Sequence, residues 1–141
     1  MTPLVYAHRG ASAVAPENTI EAFALARDLG ADGVELDVRR CAEGSMVLHH
    51  DAAHPDGRII VETPRGELPD TLPDLASALD TCRDLVVNIE IKNSPRDPDF
   101  DPDLVVVTAV VELLEQRGRA DRVIVSSFHL ATVDRVKALD R

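Results

Sequence analysis

The chain has 141 residues, 45% hydrophobic and 28% charged, which suits a single globular domain whose core comes from Val, Leu, Ile and Ala, because it holds three Phe, one Tyr and no Trp. Fifteen Lys and Arg against 25 Asp and Glu leave a formal net charge of −10, which argues against an extended nucleic-acid surface, since polyanion binding needs an excess of cations on some face. No apolar run approaches the roughly 18 residues of a membrane span, and the first strand-like run follows Met1 too closely to leave room for a signal peptide, so the expected location is cytoplasmic.

Residues 4–7 read as a strand, and residues 19–29 as a helix capped by Asn18, with Glu21 three residues on and Gly30 just past the end. Residues 33–39 form a second strand and 46–50 a third. Residues 51–70, rich in Asp, Pro and Gly, read as loop with a short extended piece at 59–61. A short helix is expected over 73–82, and a strand over 84–92, "DLVVNIEIK". A polar, Pro-broken loop follows over 93–103. Residues 104–116 read as a helix ending before Gly118, 122–128 as a strand, and 130–139 as a further helix. Strand and helix alternate with no internal repeat and no sign of a second domain. That alternation predicts parallel strands joined by right-handed crossovers, an α/β class. Cys41 and Cys82 are too few for a disulfide framework, lack the spacing of a zinc site, and read as reduced.

Side chains alternate between the faces of a strand, so residues two apart share a face. In "GVELDVR" Glu35 and Asp37 point one way and Val34, Leu36 and Val38 the other; in "VVNIEIK" Asn88, Glu90 and Lys92 lie on one face and Val87, Ile89 and Ile91 on its back. Three strands also finish in ionisable groups: His8 and Arg9, then His49, His50 and Asp51, then Glu90 and Lys92. One such strand is explained by a wet face of an antiparallel sheet. Four together point elsewhere, because charges gathered at the carboxyl ends of parallel strands are the usual form of a barrel or open-sheet active site.

Three carboxylates, Glu35, Asp37 and Glu90, converging at one end repel one another unless a cation joins them, and oxygen-only ligands favour a hard ion such as Mg²⁺ or Ca²⁺. His8 and His50, on neighbouring strands, have the proton affinity of a general acid and general base near neutral pH. Arg9 offers a planar fork to a phosphate, with Lys92 as a second positive charge. Those parts suit displacement of an alcohol from a phosphodiester. Other ionisable residues have blander readings: His49 points away from His50, His54 and His129 are surface or loop residues, Arg39 and Arg40 are a solvated strand end, and the Asp-rich stretch 97–103 is a solvated turn.

The motifs "HRG", "PENT", "GADGVELDV", "VLHHD", "IEIK" and "SSF", in that order from residue 4 to about residue 128, resemble those of the glycerophosphodiester phosphodiesterase family. The resemblance implies a (β/α)₈ barrel that hydrolyses glycerophosphodiesters to sn-glycerol 3-phosphate and an alcohol with a divalent metal. It implies His8 and His50 as the acid/base pair, Glu35, Asp37 and Glu90 as metal ligands, and Arg9 and Lys92 near the phosphate. Glu17 and Asn18, from "PENT", are similar to family residues that line or support the site, although capping alone also accounts for Asn18. Attack by the glycerol 2-hydroxyl and direct attack by water are both open.

A full barrel of this type needs about 250 residues. The expectation is therefore the N-terminal half of a TIM-type barrel, residues 1–141 as an incomplete domain of about four βα units, with helix 130 onward stopping at Arg141 without a stop signal. Two open sheet edges are liabilities for self-association, and weak or absent activity is expected of the isolated chain. Three other functions remain in view: a Schiff-base lyase using Lys92, opposed by Glu90 on the same face; a non-catalytic half-barrel that binds a divalent ion or phosphate; and a lysophospholipase D-type activity differing only in the leaving group.

Overall fold

The computed structural model describes residues 2–118 and 122–139. In chain order it shows β1 (Tyr6–His8), α1 (Ile20–Asp28), β2 (Gly33–Arg40), β3 (Met46–Leu48), α2 (Leu75–Thr81), β4 (Val86–Ile91), α3 (Val105–Gln116), β5 (Arg122–Ser126) and α4 (Leu130–Leu139). Two short 3₁₀ turns, Ile60–Glu62 and Arg65–Glu67, occupy the stretch expected as loop. The expectation about the chain's end at Arg141 lies outside the described residues.

The strands form one sheet in the order β1-β2-β4-β5, all parallel, with β3 added antiparallel to β2. The predicted α/β class holds and the architecture is a partial barrel. Branched residues explain its two central strands: Val34, Leu36 and Val38 of β2 and Val87, Ile89 and Ile91 of β4 share one core with Phe23, Leu75, Leu79, Val106, Val107 and Val110 of the helices. Each of these side chains is nearly fully buried, contributing about 1.5–3 kcal/mol where it is Val, Leu, Ile or Phe. The opposite face of β2 and β4 carries Glu35, Asp37, Asn88 and Glu90, placed side by side by the register Glu35↔Asn88 and Asp37↔Glu90.

β3 corrects the all-parallel expectation. Only residues 41–45 join it to β2, closed by the Cys41 amide on Ser45 O at 2.9 Å and the Gly44 amide on Cys41 O at 2.9 Å. A parallel crossover needs a dozen or more residues, so a hairpin is the connection available. Carbonyls two apart on a strand face the same edge. Glu35 O accepts the Arg9 amide and Asp37 O the His49 amide, while Val38 O accepts the Lys92 amide on the other side. β3 therefore runs along the β1 edge of β2, head-on toward the end of β1. His50 lies beyond β3, in the following bend, and not on a strand as expected.

Two glycines serve close approach. At Gly10 (φ 79°) an added Cβ would sit 2.7 Å from the backbone carbon and Cβ of Ala22, so the turn after β1 rests directly on α1. At Gly33 it would meet Val86 O at 2.5 Å and the Tyr6 ring at 2.6 Å, where β1, β2 and β4 lie closest.

Candidate active site at the carboxyl ends of the strands

The turn after β1 sets the site's geometry. Arg9 adopts φ 60° and Asn18 φ 55°, both left-handed, and the Asn18 amide bonds Arg9 O at 3.0 Å. Such a conformation is unusual for arginine and persists where surrounding bonds determine it. Here the Arg9 amide donates to Glu35 O at 3.0 Å and to Glu35 Oε2 at 3.1 Å.

Asn18 does not cap α1. Thr19 is the N-cap, its Oγ1 accepting the Ala22 amide at 3.2 Å. Freed from that task, the buried Asn18 side chain turns inward, donating from Nδ2 to Asp37 Oδ2 at 2.9 Å and accepting the Asp37 amide on Oδ1 at 3.2 Å. Glu17 turns the other way and accepts two bonds from Arg9 Nη1 at 3.0 and 3.2 Å.

Glu35, Asp37 and Glu90 each offer a carboxylate oxygen within 4.8 Å of the others, the convergence that period-two reading expected. The structure refines the argument from repulsion. Lys92 Nζ lies 2.8 Å from Glu90 Oε1 and 3.5 Å from Asp37 Oδ1, and Arg9 Nε lies 3.3 Å from Asp37 Oδ2. Two cations thus sit among three carboxylates, and Glu35 is the one left over. It is 9% exposed, its Oε1 is buried without a hydrogen-bond partner, and burial, followed by the charge of Asp37, pushes its pKa up to about 7. A buried, unpartnered carboxylate oxygen in an all-oxygen donor set fits a hard divalent cation.

The two histidines differ in setting. His8 is 68% exposed at its side chain, with Nε2 3.8 Å from Glu35 Oε2. His50 is 35% exposed and its Nδ1 bonds Asp51 Oδ1 at 2.7 Å, a contact that holds the Asp51 carboxyl below its usual range. Both stand on the β1 side of β2, since β3 feeds back toward β1 along that edge. Lys92 also lies 5.9 Å from the ring centre of Phe128, which is 93% exposed past β5.

Several residues read as bland are not. Arg39 is 3% exposed and Asp99 4%, where a solvated strand end and a solvated turn were expected. Arg39 Nη1 bonds Asp99 Oδ2 at 2.6 Å, its Nη2 bonds Asp97 Oδ2 at 3.1 Å, and its Nε and Nη2 both donate to the His50 carbonyl, at 3.0 and 2.7 Å. Asp101 is also buried, its amide donating to Asn93 Oδ1 at 2.8 Å and its Oδ2 accepting the Val106 amide at 3.0 Å. The period-two signal was there to find Arg39, which shares its face with Glu35 and Asp37. His129 is likewise engaged, its Nδ1 3.0 Å from Thr132 Oγ1 and its ring edge-on to Phe100. His49 contacts the Asp51 carbonyl and His54 pairs with Asp56, away from the acidic cluster.

Parallel strands with helices outside, and an acidic cluster at their carboxyl ends, define a partial TIM-type barrel. Residues 8–141 match the profile of the glycerophosphoryl diester phosphodiesterase family, and the chain belongs to that family. A glycerophosphodiester phosphodiesterase from Bacillus altitudinis is 33% identical over 147 residues, covering 89% of this chain and 58% of that protein. One from Caldanaerobacter subterraneus subsp. tengcongensis is 57% identical over 51 residues, 36% of this chain and 21% of that one. Among solved structures, an Oleispira antarctica phosphodiesterase in complex with the product sn-glycerol-3-phosphate superposes with a TM-score of 0.87 at 30% identity, covering 98% of this chain and 62% of that one. The Thermotoga maritima glycerophosphodiester phosphodiesterase gives 0.80 at 30% identity, with 97% and 59% covered. The chain thus spans less than two thirds of the length of these relatives. No described helix is long and apolar enough to cross a membrane.

Proposed function

We propose that the chain carries the catalytic end of a cytoplasmic, metal-dependent phosphodiesterase that hydrolyses glycerophosphodiesters to sn-glycerol 3-phosphate and an alcohol. Residues 1–141 then correspond to the first βα units of the domain seen at greater length in its relatives. The observation that carries the reading is the meeting of Glu35, Asp37 and Glu90 within 4.8 Å, with Glu35 Oε1 left without a partner. The Oleispira protein's product complex supports the substrate class.

In this reading Glu35, Asp37 and Glu90 hold Mg²⁺ or Ca²⁺. The chemistry such an ion supplies when bound is neutralisation of the carboxylates and polarisation of a phosphoryl oxygen. Arg9 and Lys92, already beside the cluster, orient the phosphate, with Glu17 steering the Arg9 fork and Asn18 fixing Asp37. His50, its Nδ1 turned to Asp51, keeps Nε2 free to exchange a proton with the attacking or leaving oxygen, and His8 takes the complementary step. The outer edges of β1 and β5 are unpaired among the described residues, and self-association through them belongs to the same reading.

The test, on the full-length domain that carries these residues, is release of glycerol 3-phosphate from glycerophosphocholine with Mg²⁺ or Ca²⁺, with EDTA, and in His8→Ala and His50→Ala, alongside calorimetric titration of each cation into wild type and Asp37→Asn. Cation binding lost in Asp37→Asn, with turnover lost in EDTA and in both histidine variants, is expected. Turnover that survives EDTA and both replacements overturns the reading, as does failure of both cations to bind. Cation binding without turnover would favour a non-catalytic metal- and phosphate-binding role.

A further inference from the structure

We propose that Arg39 is a positioning residue for His50, anchored from inside the fold by the loop that follows β4. The inference rests on His50 being an acid/base group, as above, and extends that reading to residues outside the cluster.

Among the described residues the imidazole of His50 is oriented by Asp51, whose side chain is 74% exposed, and an ion pair that open to solvent holds geometry weakly. The main chain at His50 is not held by a ladder, because β3 ends at Leu48. What holds it is a guanidinium. Arg39 directs Nε and Nη2 together at the His50 carbonyl, and a planar fork bonded twice to one oxygen restricts both the position and the tilt of that peptide. Lysine, a single point charge on a flexible stem, cannot reproduce it.

Arg39 is fixed in turn. Its remaining donor, Nη1, bonds Asp99 Oδ2, whose carboxylate is 4% exposed and whose Oδ1 makes no other hydrogen bond. Asp97 receives Nη2 from the more open side of the loop. An arginine 3% exposed must be compensated, and burying it costs more than a solvated cation would. An apolar residue at this position would need no such compensation. Instead, the buried charge ties the 93–103 loop to the peptide that carries His50.

The test uses the full chain labelled with ¹³C-histidine, with the His50 Cε1–Hε1 resonance assigned through His50→Gln. In Arg39→Lys the His50 resonance is expected to shift or broaden while that of His8, on β1 and outside the 93–103 loop, stays in place, and amide exchange at residues 49–51 to accelerate about tenfold as local opening becomes easier. A merely structural arginine would loosen the fold as a whole and move His8 together with His50 and the melting temperature. Asp97→Asn, at a side chain 31% exposed, weakens the strut at its least buried point and decides the matter if Arg39→Lys does not fold. Unaltered His50 resonances and exchange in the folded variant overturn the proposal, as does equal displacement of His8 and His50. Full turnover by His50→Gln overturns the acid/base reading instead, whatever Arg39 does to the His50 resonance.

Discussion

Asn18 and Asp37 are joined by a reciprocal pair of hydrogen bonds, amide to carboxylate at 2.9 Å and backbone amide to side-chain oxygen at 3.2 Å. The residue before the N-cap of α1 is thereby tied to the middle of the acidic cluster, and helix capping falls to its neighbour Thr19.

Replacing the two residues separates these roles. Asn18→Ala removes a bond to a buried charged acceptor and leaves the Asp37 amide without its partner, so a loss of roughly 2–3 kcal/mol is expected in urea unfolding. Thr19→Ala, which removes only the cap, should cost about 1 kcal/mol and leave cation binding intact. A silent Thr19→Ala with weakened α1 in Asn18→Ala would return the cap to Asn18.

Glu35 makes the metal-free protein sensitive to pH. Its carboxyl titrates near 7 in the fold, against 4.5 for the ordinary group, so the folded state holds a proton that the unfolded chain releases. That contribution is complete below pH 4.5 and is lost as pH rises through 7. In EDTA the melting temperature of wild type should fall between pH 5 and pH 7 relative to Glu35→Gln; parallel curves would refute the assignment. On the proposed metal role a cation takes the ionised carboxylate, so its binding should release a proton below pH 7 and tighten as pH rises toward it.

The turn that positions Arg9 depends on Gly10. A methyl group there meets the backbone of Ala22 at 2.7 Å in a residue with φ 79°, which combines left-handed strain with overpacking. Gly10→Ala should destabilise by roughly 2–5 kcal/mol, the sum of those two costs. Gly44→Ala, at φ 88° with nothing within 4 Å of the added carbon, should lose only about 1–2 kcal/mol. Equal midpoints in urea would contradict the close approach.

Cys82 is free, buried, and pushed up to about 12 by that burial, and burial raises Cys41 as well. Neither thiol should react with iodoacetamide at pH 8 in the native protein, and both should be alkylated in guanidinium. Rapid labelling of Cys82 in the native state, read by mass spectrometry, would show that α2 opens.

Alternation of two residues is a local property, and it was enough to place Glu35, Asp37 and Glu90 on one face and their branched neighbours in the core. The long branched run at 84–92 and the spacing of helices and strands likewise made the α/β class readable without coordinates. Direction and partnership were decided elsewhere. β3 turned antiparallel because five residues cannot cross over, and His50 left the strand expected for it. Asn18 found Asp37 nineteen residues away, and Arg39 found Asp99 sixty residues away, so residues that look like a cap and a solvated strand end became buried and bonded. Periodicity tells which side of a strand a group faces, since that follows from backbone geometry. Whether a charge on that side is wet or paired depends on which distant loop folds over it, and only the packed chain determines that.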